Sequence, residues 1–203
     1  MKARRFLAME SDPETVATRL LGQRLVRVLG GRRLAGFIVE VEAYLGAADR
    51  AAHTYGGRRS ARNEAMYLPG GHAYVYFTYG MHYCLNVVCG RQDEGVAVLI
   101  RAIEPVEGIE MMFRHRPRAR TETDLCSGPG KLTQALRIDR SLDGVDLRTS
   151  PDLFIEQVRK QAISRRLVQR SARVGLNPTA AWTGGWAERA LRYFIRGNPH
   201  VSR

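Results

Sequence analysis

The chain has 203 residues, enough for one domain with a full hydrophobic core, and its 44% hydrophobic and 26% charged residues are ordinary for a globular protein. The charge balance is unusual, because 32 basic residues against 20 acidic ones leave a net charge of +12. Such an excess favours a polyanionic partner, most often nucleic acid, and disfavours a small neutral or singly charged ligand.

No apolar run approaches the length of a membrane-spanning helix, and no apolar segment follows the basic start of the chain. We therefore predict a cytoplasmic protein with no membrane attachment, associated with the nucleoid in a bacterium or with the nucleus in a eukaryote. The three cysteines (Cys84, Cys89 and Cys126) form no paired motif and are expected to be small buried hydrophobic residues. The five histidines have no metal-binding spacing, so we predict neither a metal site nor a cofactor.

The first elements are a short helix and a β-hairpin. Asp12-Pro13-Glu14 is typical of a helix start, with a capping residue, a proline and an acid in the first turn. Residues 25–29 and 34–45 alternate like strands on either side of the Gly30-Gly31 turn. The connection 46–71 that follows is long and polar, and such loops in compact domains usually carry function.

A second hairpin is predicted from residues 72–79 and 82–89, and residues 96–103 form an apolar and therefore central strand. Glu104-Pro105 is interpreted as the end of that strand and the start of a helix that runs to about residue 113. A further helix opens at residues 127–132, and residues 152–158 and 193–195 are late strands. The pattern predicts one α+β domain over residues 1–203, with a mostly antiparallel sheet.

The strand at residues 37–45 carries the first candidate site. Its odd-numbered residues are apolar and would face the core, whereas Ile38, Glu40, Glu42 and Tyr44 point the other way. His53 lies on the following loop, so acids, an aromatic ring and an imidazole could surround a flat substrate. The same residues also fit an amphipathic strand with a solvated acidic face. Arg101 is the one charge in the strand 96–103, and it would need an acidic partner such as this strand can supply.

Four tyrosines crowd the second hairpin. Tyr74 and Tyr76 share one face, and Tyr79 lies at the turn, where it can project from the body. Packing within the sheet is the favoured interpretation for Tyr74 and Tyr83, whereas stacking against bases or wedging between them is the functional alternative.

Residues 127–131 combine two glycines with a lysine at a helix start. The segment lacks the first glycine of a phosphate-binding loop, because Leu125 stands there. Free backbone amides and Lys131 could still hold a phosphate, and an ordinary turn before a helix is the alternative.

With these residues collected, the sequence resembles the alkyladenine (3-methyladenine) DNA glycosylase family. The first half of the resemblance rests on Val39-Glu40-Val41-Glu42-Ala43-Tyr44-Leu45-Gly46, Ala51-Ala52-His53, Gly71-His72-Ala73-Tyr74-Val75-Tyr76, Tyr79-Gly80-Met81 and Leu85-Asn86-Val87. The second half rests on Leu99-Ile100-Arg101-Ala102-Ile103-Glu104-Pro105, Leu125-Cys126-Ser127-Gly128-Pro129-Gly130-Lys131-Leu132, Ala172-Arg173-Val174-Gly175 and Tyr193-Phe194-Ile195-Arg196-Gly197. Ser60-Ala61-Arg62-Asn63 departs from the Thr-Pro-Arg expected in the family, and a looser loop is expected there.

The resemblance implies a single domain with a curved antiparallel sheet, short helices and a protruding tyrosine hairpin. It implies that Glu42 activates a water, oriented with the help of Arg101, and that Asn86 screens against the exocyclic amine of guanine. The remaining implied roles belong to the base pocket (Tyr44, His53, Tyr76), to intercalation (Tyr79) and to phosphate binding (Ser127, Gly128, Gly130, Lys131).

The implied activity is removal of damaged purines from double-stranded DNA by a monomeric hydrolase without a cofactor. An amine nucleophile for strand cleavage is not expected, because Lys131 is the only lysine in a matched motif. Glu40 is expected to be structural or paired with an arginine. A non-catalytic binder of nucleic acid, RNA included, is the alternative from another class.

Overall fold

Every strand pairing in the computed structural model is antiparallel, and the model describes residues 9–202. The eight strands are β1 (Arg24–Leu29), β2 (Arg32–Tyr44), β3 (Ala73–Thr78), β4 (His82–Cys89), β5 (Val96–Glu107), β6 (Leu153–Glu156), β7 (Val168–Ser171) and β8 (Arg192–Ile195). The four α-helices are α1 (Pro13–Leu20), α2 (Ile109–His115), α3 (Glu122–Cys126) and α4 (Pro129–Leu136). The basic start of the chain and the ends of the predicted domain lie outside the described residues.

The strands form one curved sheet, in which six of them follow the order β3-β4-β5-β2-β1-β6 and β7 and β8 lie off this path. The long strand β2 pairs with β5 on one side, and on the other side it pairs first with β1 and then with β8. The helices are few and short, which confirms the predicted α+β class. β7 and α3 were not predicted.

Most of the buried apolar residues form one core between the sheet and the helices. Helix α1 contributes Val16 and Leu20, helix α4 contributes Leu132 and Leu136, and the three buried cysteines are unpaired. Helix α1 begins as predicted, because the Asp12 side chain accepts a hydrogen bond from the Thr15 backbone N–H at 2.9 Å. None of the helices in residues 9–202 is long and apolar enough to cross a membrane.

Two bulges change which face the residues of β2 present. Ile38 pairs with Ile103, Glu40 with Ala102 and Val41 with Ile100. Val39 on β2 and Arg101 on β5 are therefore the extra residues of the two bulges and have no partner on the opposite strand. A bulge shifts the alternation of side chains by one residue. Ile38 therefore faces the main core before the bulge and Val41 after it, so the prediction that Ile38 points with the acids was wrong.

The prediction that β5 ends at Glu104-Pro105 was also wrong. β5 continues to Glu107, and Pro105 pairs with Gly36 beside a third register shift. A proline is tolerated at a bulge because its missing N–H interrupts a ladder that is already broken. Gly108, with φ of 75°, then turns the chain, and α2 starts at Ile109.

Candidate active site

A cavity of about 230 Å³ opens between the end of β2, the connection 46–71 and the β3–β4 hairpin. Six of the candidate site residues line it, namely Tyr44, His53, Tyr76, Tyr79, Asn86 and Arg101. The sheet brings these residues together because β4 lies between β3 and β5, and β5 pairs with β2. Residues 174–176, which precede β8, complete the wall.

Aromatic rings form one wall of the cavity. Tyr74 and Tyr76 alternate onto the same face of β3, and their rings stack with centroids 5.3 Å apart. His53 meets the Tyr76 ring edge-on at 4.6 Å, and its Nδ1 is hydrogen-bonded to the Tyr74 hydroxyl at 2.8 Å. Burial, together with the positive charge of Arg62, lowers the pKa of His53, so the imidazole is neutral at pH 7.

Tyr74 packs within the sheet as predicted, but it also does something that the sequence did not indicate. It is only 1% exposed, and its hydroxyl fixes the ring of His53. Its backbone carbonyl accepts a hydrogen bond from Asn86 Nδ2 at 3.1 Å. Tyr74 therefore holds two of the candidate pocket residues.

Glu42 lies just beneath the floor of the cavity and has no exposed surface. Its Oε1 accepts from the Val174 backbone N–H at 2.7 Å, and its Oε2 accepts from the Tyr44 hydroxyl at 3.0 Å. Arg101 Nη1 is 3.3 Å from Oε1. These three partners line the cavity although Glu42 itself does not. The alternative of a solvated acidic face is excluded, since Glu40 is also fully buried.

The groups around Glu42 shift its pKa in opposite directions. Burial raises the pKa of Glu42 and is the largest influence, whereas the Arg101 charge, the Val174 N–H and the Tyr44 hydroxyl oppose it. The net result is a pKa above the ordinary value for a glutamate. A raised pKa makes the Glu42 carboxylate a stronger base than an ordinary glutamate, which suits a group that accepts a proton.

Arg101 owes its position to the bulge on β5 and to Glu40. Arg101 is the extra residue of the bulge on β5, and a bulge changes the direction in which a side chain leaves the strand. Its Nε donates to Glu40 Oε1 at 2.9 Å, so the predicted acidic partner comes from the neighbouring strand. Arg192 Nε also donates to Glu40 Oε1, at 2.6 Å. Glu40 is thus paired with arginine, as expected.

A second buried ion pair, between Asp49 and Arg173, was not foreseen. Arg173 Nη1 and Nη2 lie 2.5 Å and 2.9 Å from the two carboxylate oxygens of Asp49, and both side chains are fully buried. The guanidinium lies 4.6 Å from the centre of the Tyr44 ring, and the next residue supplies the N–H that binds Glu42. Arg173 belongs to a motif of the resemblance to which no role had been given, and that was the available signal.

The tip of the β3–β4 hairpin is exposed and apolar. Tyr79 is 82% exposed, with Phe77 and Met81 also exposed on either side. Tyr79 and Gly80 have φ of 51° and 67°, and Met81 N donates to Thr78 O at 3.2 Å, which gives a two-residue turn of the kind that suits hairpins. Tyr79 projects from the body as predicted, beside the mouth of the cavity.

The segment from Ser127 to Lys131 flanks the cavity at the start of α4. Pro129 lines the cavity, whereas Lys131 Nζ is bound to Asp124 Oδ1 at 3.2 Å and to Ser127 Oγ at 3.3 Å. Gly130 packs so closely on the hairpin that an added Cβ would lie 2.9 Å from His82 Cγ. The proximity of the segment to the hairpin is clear, and phosphate binding by Ser127, Gly128, Gly130 and Lys131 stays a prediction.

The loop that departs from the family pattern is firmly tied. Asn63 Nδ2 donates to the carbonyls of His53 and Arg58, at 3.1 Å and 2.9 Å, and its Oδ1 accepts from the Ser60 N–H at 2.8 Å. These bonds tie the loop to neighbouring parts of this chain, and a loop looser than that of the family stays a prediction. Within the part of the chain that the structure describes, no group of three or more His, Cys, Asp or Glu could hold a metal ion.

Comparison with known proteins identifies the family. The model of the methylpurine-DNA glycosylase family matches residues 7–199. The mouse and human proteins named DNA-3-methyladenine glycosylase are 44% and 43% identical over 93% and 92% of this chain, which spans 57% and 63% of their lengths. A putative 3-methyladenine DNA glycosylase of Natranaerobius thermophilus is 40% identical over 95% of both chains. These matches confirm the resemblance that the motifs indicated, and the chain belongs to the methylpurine-DNA glycosylase family.

Proposed function

We propose that the protein is a monofunctional DNA glycosylase of base-excision repair. It flips alkylated purines, and deaminated purines as a second class, out of duplex DNA and hydrolyses the N-glycosidic bond. The product is an abasic site. One observation carries the proposal: the Glu42 carboxylate is held with Arg101 beneath a cavity walled by Tyr44, His53 and Tyr76.

The cavity suits a single extruded base. A base stacked inside a duplex cannot be reached, so an enzyme that acts on it must rotate the nucleotide outward, and a damaged base costs less to unstack. The volume of about 230 Å³ is below that of pockets for drug-sized ligands, which take about 300–1,000 Å³. Flat rings on the wall favour a planar ligand.

The aromatic wall also favours positive charge. Alkylation at N3 or N7 makes a purine cationic, and such a base is attracted to the faces of Tyr44 and Tyr76. The neutral His53 adds no competing charge. Asn86 is 4% exposed and is fixed by its bond to Tyr74 O, so it cannot move aside for the exocyclic amine of an ordinary guanine.

Glu42 activates the water that attacks C1′. The water gives its proton to Glu42, its oxygen bonds to C1′, and the bond between C1′ and the base nitrogen breaks with its electrons going to the base. Among the described residues, Oε2 of Glu42 accepts from the Tyr44 hydroxyl, and a carboxylate oxygen with that one bond keeps acceptor capacity for this water. The carboxylate also stabilises the positive charge that develops on the sugar, and Arg101 helps to orient the water.

The positions of the lysines support hydrolysis of the N-glycosidic bond without cleavage of the DNA strand. A lyase reaction needs an amine nucleophile near C1′. The described residues that line the cavity include no lysine, and Lys131 is engaged with Asp124 and Ser127.

Duplex binding rests on charge and on the hairpin tip. The net charge of +12 favours a polyanion, and Tyr79 fills the gap that the flipped base leaves in the duplex. The segment from Ser127 to Lys131 contacts the phosphates beside the cavity. We propose that the protein acts as a monomer.

The proposal is tested by incubating the protein with methylated duplex DNA and separating the released bases by chromatography. Free 3-methyladenine should accumulate, and the DNA should break only after alkali treatment, which cleaves abasic sites. Binding to the duplex without any released base would instead indicate a non-catalytic binder, and strand breaks without alkali would contradict a monofunctional enzyme.

A further inference from the structure

The segment that follows β8 closes over the side of Arg101 that faces away from the cavity. Asn198 Nδ2 donates to Glu104 Oε2 at 2.8 Å and so attaches the segment to β5. Ser202, at 7% exposed, then reaches Glu40, with its N–H donating to Oε2 at 2.6 Å and its hydroxyl to Oε1 at 2.8 Å. Its carbonyl accepts from Arg192 Nη2 at 3.0 Å. All three polar atoms of Ser202 are therefore engaged in the buried network.

The hydroxyl of Ser202 has a second partner, which is Arg101 itself. Arg101 Nη2 donates to Ser202 Oγ at 3.3 Å, while Nε donates to Glu40 Oε1 and Nη1 faces Glu42. Each nitrogen of this guanidinium therefore has its own partner. A planar group held at two of its nitrogens cannot rotate, so the position of Nη1 is set by the other two contacts.

We propose that Ser202 is a positioning residue, which holds Arg101 so that Nη1 stays directed at Glu42. Ser202 is not among the described residues that line the cavity, and it acts through its contacts with Arg101 and Glu40. The inference rests on the proposed function for its catalytic consequence, but the geometric consequence for Glu42 is independent of it.

The consequence can be followed through the charge state of Glu42. The groups that act on Glu42 are Arg101 from β5, Tyr44 from its own strand, Arg173 and the Val174 N–H from the segment before β8, and Tyr76 and Cys84 from the hairpin. Among them, the Arg101 charge is the largest influence that keeps Glu42 ionised. Without the Ser202 hydroxyl, Nη2 is buried without that partner, and the guanidinium shifts to find another. The pKa of Glu42 then rises.

The test compares Ser202→Ala with Ser202→Thr, which keeps a hydroxyl, and with Ser141→Ala. Ser141 is a matched control, since its exposed hydroxyl also donates to a carboxylate, that of Asp139, at 2.6 Å. Single-turnover base release by Ser202→Ala should be about two- to tenfold slower at pH 7, the range expected for one lost hydrogen bond. The acid limb of its pH profile should move to higher pH, with lesion-DNA affinity unchanged. Ser202→Thr should recover most of the rate, and Ser141→Ala should match the wild type.

A second readout does not need activity. Carbon-13 NMR titration of the Glu42 carboxyl should give a higher pKa in Ser202→Ala than in the wild type and in Ser141→Ala. An unchanged Glu42 pKa in folded Ser202→Ala would overturn the positioning role, whether or not the wild type releases bases. A wild type that releases no base, but whose Glu42 pKa responds to Ser202→Ala, would refute the proposed function and leave the positioning role intact.

Discussion

The floor of the cavity and the tip of the β3–β4 hairpin are built in opposite ways. At the floor, Glu42 is fully buried and its two oxygens are held by a backbone N–H, a hydroxyl and a guanidinium. At the tip, Tyr79 is 82% exposed, carries φ of 51° and is flanked by two further exposed apolar residues. The groups at the floor are held in place by contacts within the protein, whereas the exposed side chains at the tip would be buried only by a partner.

The difference indicates that, in the proposed function, the floor of the cavity performs the chemistry and the hairpin tip binds the duplex. Chemistry depends on groups that are fixed before the substrate arrives, because their orientation then costs nothing at the moment of reaction. Gripping a duplex needs apolar surface that is still free to be buried. Changes to the chemical groups at the floor should therefore cost catalysis, and breaking a buried ion pair there should cost stability, whereas changes at the tip should cost DNA affinity alone.

The largest effect on stability is expected from breaking the pair between Asp49 and Arg173. Arg173→Met leaves the Asp49 carboxylate buried and uncompensated, which should lower the free energy of unfolding by about 3–5 kcal/mol. Urea unfolding followed by circular dichroism measures the change. Arg59→Met is the matched control, because Arg59 also forms ion pairs, with Glu64 and Asp93, but lies on the surface, and its unfolding midpoint should stay close to that of the wild type. Equal unfolding midpoints for Arg173→Met and Arg59→Met would show that the buried ion pair contributes no more to stability than the surface ion pairs do.

The second prediction separates the tip from the floor. Tyr79→Asn keeps a residue that tolerates the left-handed turn but removes the ring, so affinity for lesion-containing duplex should fall by about 1–3 kcal/mol, the usual value of a stacked aromatic. The melting temperature should not fall. Asp93→Asn, at another left-handed position, should leave DNA affinity unchanged. Fluorescence anisotropy with a labelled duplex measures both, and full affinity in Tyr79→Asn would remove the tip from the proposed interface.

The smallest effect concerns the charge of Glu42. Because burial raises the pKa of Glu42, the folded protein binds a proton more readily than the unfolded chain, and ionised Glu42 costs stability at neutral pH. Glu42→Gln should therefore melt at the same or a higher temperature than the wild type at pH 7. This advantage should disappear as the pH falls below the ordinary glutamate pKa of 4.5, where Glu42 is neutral too. A lower melting temperature for Glu42→Gln at pH 7 would contradict the claim that the ionised Glu42 carboxylate lowers the stability of the folded protein.

The sequence contained most of the short-range features of the site. Alternation along β2 brought Glu40, Glu42 and Tyr44 to one face, and the charge of Arg101 in an apolar strand indicated a buried partner on the neighbouring strand. The second hairpin was predicted between residues 72–79 and 82–89, and the structure places its turn one residue earlier, at Tyr79-Gly80. These inferences succeeded because side-chain period and turn chemistry are local properties.

The remaining features depend on contacts that local patterns do not contain. The bulges at Val39 and Arg101 leave no mark in the composition, so the face of Ile38 was assigned wrongly. Arg173 and Asp49 are 124 residues apart in the chain, and Ser202 and Glu40 are 162 apart. Pro105 was interpreted as a helix start because a proline signals both a helix start and a bulge, and only pairing with Gly36 distinguishes them.

The central claim is that Glu42 performs the chemistry and does not hold the substrate. Glu42→Gln should bind a duplex containing a methylated purine with wild-type affinity, while single-turnover base release falls by at least about a hundredfold, as expected for loss of a general base. Glu156→Gln is the matched control, because Glu156 is also buried and paired with arginines but lies on β6; it should release bases at the wild-type rate. Normal base release by Glu42→Gln would contradict the account.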